Sequence, residues 1–137
     1  MTEIVNYNEI KELLKSSETI AVVGLSPKEH RASNQVAKYL LEAGYTVIPV
    51  NPGQDEILGL KCYPHLSAIG RPVDIVDIFR KSESVPPIVD EAVAIGAKAI
   101  WMQLGVIHHQ AAVRAREAGL TVIMDRCLKI DHNDLGI

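Results

Sequence analysis

The sequence predicts an α/β fold, built on an open, doubly wound sheet of five parallel strands with helices on both faces. Three observations lead to this prediction. Short apolar runs alternate with longer segments of helical period. The runs are nearly continuous and rich in β-branched residues, which is typical of strands covered on both faces. Three of the helical segments end at a glycine that a strand follows at once, as in β-α-β units.

Five apolar runs predict the strands. In chain order they are Thr19–Val23, Thr46–Val50, Val73–Phe79, Ala97–Met102 and Leu120–Met124. Right-handed crossovers between them give, most simply, the strand order 3-2-1-4-5. Ligands of such sheets bind beyond the carboxyl ends of the strands, at the point where the order reverses. We therefore expect the binding site at the end of the first strand.

Apolar residues at three- and four-residue spacing predict the helices. The three helices that precede a glycine are Ser33–Ala43, Ser84–Ile95 and Gln110–Ala118. A further amphipathic segment, Tyr7–Lys15, predicts a helix before the first strand. The link between the second and third strands, residues 52–72, is polar and irregular, and within it we predict only a weak helical turn near Ser67–Gly70.

Length and composition restrict the class of protein. The chain has 137 residues, with 14 Lys and Arg against 17 Asp and Glu, so one domain spans residues 1–137, its core from about 19 to 132. The net charge of -3 gives no electrostatic case for binding nucleic acid or an anionic membrane. The start, Met1–Ile4, lacks the features of a signal peptide. We expect a cytoplasmic protein in which Cys62 and Cys127 are reduced thiols.

The loop after the first strand, Gly24–Asn34, is the first candidate site. It retains one glycine of a dinucleotide fingerprint and has Ser26 where a second glycine might stand. Ser33 or Asn34 at the start of the next helix would leave backbone N–H groups free to bind an anion. Lys28 and Arg31 add positive charge there. The sequence thus predicts a phosphate site, the alternative being a polar, capped loop with incidental basic residues.

The residues at the end of the second strand indicate which kind of nucleotide binds. NAD-binding domains place an Asp or Glu there to hold the ribose hydroxyls. This chain has Val50, Asn51 and Pro52 instead, with no carboxylate before Asp55. That pattern argues against NAD and favours a nucleotide with a phosphate on its ribose, which both NADP and coenzyme A carry.

Five segments of the chain together resemble the small bacterial and archaeal CoA-binding proteins, which are similar to the N-terminal domain of the succinyl-CoA synthetase α subunit. The segments are Val23–Ser26, Gly44–Pro52, Val73–Arg80, Gly96–Gly105 and Ala118–Cys127. The likeness covers about residues 19–132. It implies a Rossmann-type domain that binds coenzyme A at the carboxyl edge of its sheet.

The resemblance also implies where the cofactor binds. The phosphate-binding turn corresponds to Gly24, Leu25 and Ser26, with Arg31, Ser33 and Asn34 at the helix start. The adenosine pocket corresponds to Pro49, Val50, Asn51 and Pro52. Two further turns at the same edge contribute Ile78, Phe79, Arg80, Lys81, Gln103, Leu104 and Gly105.

The residue types at these turns leave alternatives open. Arg80 and Lys81 would meet the ribose 3′-phosphate or the diphosphate, or they belong to a solvated turn before a helix. Phe79 would flank adenine or lie in the core. Gln103 and Gly105 are favoured as site residues, because a neutral amide can orient a ligand and a glycine permits close backbone approach.

The sequence predicts no catalytic or metal-binding residues. The synthetase makes its product through a phosphohistidine in a second domain, for which these residues show no counterpart, so the resemblance implies cofactor binding without catalysis. His108 and His109 are adjacent and lack a third ligand at suitable spacing. Trp101 is expected in the core, as is Cys127, although neighbouring cations would also suit a reactive thiol there.

The functional hypothesis is a stand-alone protein that binds coenzyme A or acyl-CoA. A partner enzyme, a regulatory role or acyl-CoA sensing would then account for its biology, and the chain could form a homo-oligomer. Two alternatives use the same fold: an NADP-dependent oxidoreductase, and an interaction domain that binds no small ligand.

Overall fold

A computed structural model describes residues 6–137. Within them, five parallel strands form one sheet: β1 (Thr19–Val23), β2 (Thr46–Val50), β5 (Ile75–Ile78), β6 (Ala99–Met102) and β7 (Thr121–Ile123). A two-stranded antiparallel hairpin, β3 (Glu56–Ile57) and β4 (Leu60–Lys61), lies in the link after β2. The five predicted strands are thus confirmed, although the last three are shorter than the apolar runs that indicated them.

Five helices in the described residues cover both faces of this sheet. They are α1 (Tyr7–Ser16), α2 (Ala32–Glu42), α3 (Val85–Ala94), α4 (His109–Glu117) and α5 (Leu128–Leu135). The first two and α5 bury their apolar residues with one face of the sheet, around Trp101. The helices α3 and α4 pack on the other face, around Ile100. The predicted doubly wound arrangement and the four predicted helices are confirmed, each helix to within one residue at either end.

The predicted strand order 3-2-1-4-5 is wrong. The order is β2-β1-β5-β6-β7. The strand that comes third in the chain among these five, β5, therefore pairs with β1 and not with β2 as predicted. Val23 stands opposite Val50 on one side and Ile78 on the other. The order therefore reverses between β1 and β5, and the predicted site at the end of β1 lies at that reversal.

Pro49 explains why β2 is an edge strand of this sheet. The carbonyl of Pro49 accepts a 3.0 Å hydrogen bond from Tyr63 N–H, on the side away from β1, so the missing N–H of the proline removes no bond to β1. Tyr63 in turn accepts a 2.9 Å bond from Asn51 N–H and covers this edge. Proline is suited to an edge strand and not to a central one, so Pro49 was a signal in the sequence against the predicted order.

The helix α5 was not predicted, because two of its three buried residues are polar. Asp131 accepts two 2.7 Å hydrogen bonds from the Arg126 guanidinium, and His132 Nδ1 lies 2.8 Å from the hydroxyl of Tyr39. One of these polar contacts is with Arg126, just before the helix, and the other is with the distant Tyr39. Hydrophobic periodicity reports neither kind of contact. None of the helices in residues 6–137 is long and apolar enough to cross a membrane.

Candidate functional site

Two clefts meet at Gly24, beyond the carboxyl ends of β1 and β5. The first, which we call the basic cleft, has a volume of about 410 Å³ and is lined by Gly24, Ser26, Lys28, Arg31, Ala32, Ser33 and Phe79. The second, the mixed cleft, has a volume of about 470 Å³. Its lining is Val23, Gly24, Val50, Pro52, Pro64, His65, Leu66, Arg80, Glu83, Ser84, Pro87, Ile88 and Glu91.

Gly24 borders both clefts, and there is no room for a side chain at this position. Its φ is +86°, and its N–H donates a 2.8 Å hydrogen bond to the Val50 carbonyl. A Cβ atom at this position would lie 2.5 Å from the Phe79 carbonyl oxygen and 2.9 Å from Arg80 Cδ. A bare backbone therefore faces the clefts, which is the condition for a ligand to approach the main chain closely.

Side chains from α2 and from Asn51, the residue after β2, brace the loop after β1. Ser26 N–H donates to Ser33 Oγ (3.0 Å), and Asn34 Nδ2 donates to the Ser26 carbonyl (2.9 Å). Asn51 Nδ2 donates to the Leu25 carbonyl (3.0 Å). The loop is thus held in one shape by the helix that follows it and by the neighbouring strand, before any ligand binds.

The start of α2 presents unpaired donors and positive charge to the basic cleft. Neither Ser33 nor Asn34 caps this helix as predicted: the N-cap is Arg31, whose side chain makes no capping bond. Among the described residues, the N–H groups of Ala32 and Ser33 have no acceptor. Lys28 and Arg31 are exposed and form no ion pair in this part of the chain. Free N–H groups, the helix dipole and two cations together favour an anion.

Both charged and apolar side chains line the mixed cleft. Arg80 is exposed and, within residues 6–137, pairs with no carboxylate. Glu91, which also lines this cleft, is already engaged, since its Oε2 accepts bonds from Ser67 Oγ (2.6 Å) and Ser67 N–H (3.2 Å) and lies 3.4 Å from His65 Nδ1. Val50 and Pro52 provide an apolar wall. This cleft has the mixed character of a pocket for a base and a charged sugar substituent.

A buried polar pair lies beneath the same edge of the sheet. Asp77 is 0% exposed, and its Oδ1 accepts a 2.9 Å hydrogen bond from Gln103 Nε2. Burial raises the pKa of Asp77 to about 8, against the opposing effect of that hydrogen bond. Its second oxygen, Oδ2, has no partner among the described residues. We expect the carboxyl group to be largely neutral at pH 7.

The structure places the fifteen predicted site residues in five settings. The basic cleft is lined by Gly24, Ser26, Arg31, Ser33 and Phe79, and the mixed cleft by Gly24, Val50, Pro52 and Arg80. Beneath or behind them lie the bracing residues Asn34 and Asn51 and the buried Gln103. The core holds Leu25 and Ile78, and the exposed turns hold Lys81 and Gly105.

Other lining residues were missed by reasoning from the sequence. Pro64, His65 and Leu66 come from the irregular link after β2, and Ile88 and Glu91 come from α3. Which segment borders the cleft depends on the order of the strands, so no local pattern indicated them. Asp77 did leave a signal, because it is a charged residue type inside an otherwise apolar strand.

Of the histidine and cysteine residues that the sequence singled out, His108, Cys62 and Cys127 make structural contacts, and His109 is the exposed first residue of α4. His108 is the N-cap of α4, where its Nδ1 accepts a 3.1 Å hydrogen bond from Ala111 N–H. Cys62 donates to the Asn51 carbonyl (3.5 Å) behind the loop, and burial raises the pKa of its thiol. Cys127 packs against the core beside α5. No group of three or more His, Cys, Asp or Glu residues in the described range is arranged to hold a metal ion.

Comparison with known proteins identifies the family. The profile of the CoA binding domain matches residues 18–133. An uncharacterized protein of Bacillus subtilis, YneT, is 46% identical over 124 residues, which cover 90% of this chain and 92% of that protein. The solved structure of a hypothetical protein from Pyrococcus horikoshii superposes with a TM-score of 0.94 at 39% identity, and the match covers 100% of both chains.

A larger enzyme contains a similar domain. The ADP-forming acetate–CoA ligase I of Archaeoglobus fulgidus is 27% identical over 136 residues, which cover 92% of this chain but only 20% of the ligase. The chain therefore belongs to the CoA-binding domain family and is homologous to that part of the ADP-forming acetate–CoA ligases, a succinyl-CoA synthetase-like family.

Proposed function

We propose that this protein binds coenzyme A or an acyl-CoA as a stand-alone binding protein, with the diphosphate of the ligand at Gly24. The observation that carries the proposal is the bare backbone of Gly24 between two clefts, one of which contains the unpaired N–H groups of Ala32 and Ser33 beside Lys28 and Arg31. Backbone donors at a helix start are a common phosphate site.

In this proposal each cleft binds a different part of the ligand. The diphosphate lies in the basic cleft, and the adenosine lies against Val50 and Pro52 in the mixed cleft. Arg80 lines that second cleft without an ion-pair partner in residues 6–137, so it is the residue available to the ribose 3′-phosphate. A guanidinium is well suited to such a group because its planar fork of donors matches two phosphate oxygens.

Asn51 favours coenzyme A over NAD. It occupies the position where NAD-binding domains carry the carboxylate that holds the ribose hydroxyls. Both ends of its amide are already engaged, since Nδ2 donates to the Leu25 carbonyl and Oδ1 accepts a 3.0 Å bond from Gly53 N–H. NADP also has a phosphate on its ribose and is the second candidate on this observation.

A ligand comparison tests the proposal. Thermal unfolding is followed with coenzyme A, dephospho-CoA, NAD and NADP, each over a concentration series. A ligand at about 100 times its dissociation constant stabilises the fold by roughly 2.7 kcal/mol, which shifts the midpoint by several degrees. We expect coenzyme A to give the largest shift and dephospho-CoA a smaller one. A shift with NADP alone would instead support an oxidoreductase, and flat curves with all four would contradict any nucleotide-binding function.

A further inference from the structure

Asp77 lies directly beneath the proposed site. In the sheet it stands opposite Val22 of β1 and Trp101 of β6. Side chains alternate along a strand, so Asp77 shares a face with Phe79, two residues on, which lines the basic cleft. It is one of the few buried polar side chains in the described residues, and the contacts already described for the loop do not involve it.

The partner of Asp77 is Gln103, which follows the last residue of β6. The two ends of the Gln103 amide are in different surroundings. Nε2 donates inward to Asp77 Oδ1 at 2.9 Å. Oε1 receives no hydrogen bond from the described residues. It is also absent from the fully buried polar atoms that lack a partner, so part of its surface is exposed to solvent. Only 3% of the residue is exposed, so access to this oxygen is narrow.

We propose that Asp77 is a positioning residue: by accepting a hydrogen bond from Gln103 Nε2, it turns the Gln103 amide oxygen outward to accept a hydrogen bond from an amide N–H of the pantetheine arm. The inference rests on the proposed function. An amide that is free to rotate presents oxygen or nitrogen with little preference, because this terminal torsion is broad and roughly two-fold. An acceptor behind the nitrogen removes that ambiguity.

The position of Gln103 suits this part of the ligand. β6 lies two strands from β1, about 10 Å at roughly 4.8 Å per strand. A diphosphate at Gly24 therefore leaves room for the extended pantetheine arm to cross the end of β5 before it reaches Gln103. The arm carries two secondary amides, each with one N–H donor. The outward oxygen of Gln103 is a complementary acceptor.

The test compares two ligands on four variants. Calorimetric dissociation constants are measured for coenzyme A and for 3′-phospho-ADP, which has the same nucleotide but no pantetheine arm. The variants are Asp77→Leu, Gln103→Leu, the double variant and Asp77→Asn. We expect Asp77→Leu and Gln103→Leu each to weaken coenzyme A about threefold to tenfold, the range for one hydrogen bond, and to leave 3′-phospho-ADP within about twofold. The double variant is expected to bind coenzyme A no more weakly than Gln103→Leu does, because Asp77 acts through Gln103.

Asp77→Asn is the control that separates positioning from packing. Asn retains an oxygen that accepts from Gln103 Nε2, so this variant is expected to bind coenzyme A as the parent does. The inference is overturned if Asp77→Leu weakens the binding of both ligands equally or of neither. It is also overturned if Asp77→Asn binds coenzyme A as weakly as Asp77→Leu does. Neither outcome contradicts coenzyme A binding itself. If the parent protein binds neither ligand, the proposed function fails and the inference fails with it.

Discussion

Gly24 and Phe79 are packed so closely that a Cβ atom on the glycine would lie 2.5 Å from the carbonyl oxygen of Phe79. The contact is between two backbones, those at the ends of β1 and β5, so neither can move aside without breaking the pairing of Val23 with Ile78. The point where the strand order reverses is therefore also the point where the sheet tolerates no side chain.

Replacing Gly24 by alanine is expected to destabilise the protein strongly. Gly70→Ala is the matched control, because Gly70 also has a positive φ (+71°) but has nothing within 4 Å of its Cβ position. We expect the control to cost about 1–2 kcal/mol through its backbone conformation alone. Gly24→Ala adds the overlap with Phe79, a further 1–3 kcal/mol or so. Urea denaturation measures the loss in free energy of unfolding for both variants. Equal losses would show that the close approach of Gly24 to Phe79 does not add to the cost of the substitution.

Lys28→Ala is expected to weaken coenzyme A binding about tenfold and to leave stability within about 0.5 kcal/mol of the parent. The reason is that Lys28 lines the basic cleft and, in the described residues, forms no ion pair that folding would lose. Lys11→Ala on the exposed side of α1 removes the same charge at a residue that lines neither cleft. Calorimetric titration at low and high salt measures the coenzyme A affinity of both variants. If both substitutions weaken binding equally, Lys28 acts only through the net charge of the protein and does not contact the ligand.

Arg80→Gln is expected to abolish the preference for coenzyme A over dephospho-CoA. The two ligands differ only in the 3′-phosphate, and Arg80 is the cation that lines the mixed cleft. Lys81→Gln is the control, since the neighbouring lysine is exposed and lines neither cleft. The measurement is the ratio of the two dissociation constants for each variant. An unchanged ratio in Arg80→Gln would place the 3′-phosphate elsewhere.

Asp77→Asn is expected to stabilise the protein increasingly as the pH rises from 4 to 8. Burial raises the pKa of Asp77 to about 8, whereas an unfolded aspartate titrates near 3.9. Between those values the folded state retains a proton that the unfolded state has lost, so rising pH removes stability from the parent by up to about 1.4 kcal/mol per unit. Asparagine does not titrate. Urea denaturation of both proteins across this range gives the difference, and a constant difference would contradict a neutral Asp77.

Local patterns were sufficient for the elements that bury apolar surface. Runs such as Thr19–Val23 and the glycine-ended helices report their structure through spacing alone, because each places its apolar residues in the core. The same reasoning did not find α5, whose buried Asp131 and His132 depend on Arg126 and Tyr39. Polar side-chain contacts, whether with the nearby Arg126 or with the distant Tyr39, leave no hydrophobic period in a sequence.

The chemistry of the site was predictable where one segment carries it. Gly24, Arg31 and Ser33 all lie in the segment that follows β1, and the structure brings them to one cleft. The second wall of the site was not predictable, because Pro64, His65 and Leu66 reach it only when the link after β2 passes along the edge of that strand.

The amino-acid order alone determined the parallel α/β architecture, the position of the loop after β1 and the family to which the chain is related, since hydrophobic spacing and short motifs are properties of neighbouring residues. Only the tertiary structure decided which strand lies beside β1, what covers the edge at Pro49 and how Asp77 is joined to Gln103. Those features arise from hydrogen bonds and packing between residues far apart in the chain, and they exist only once the sheet has assembled.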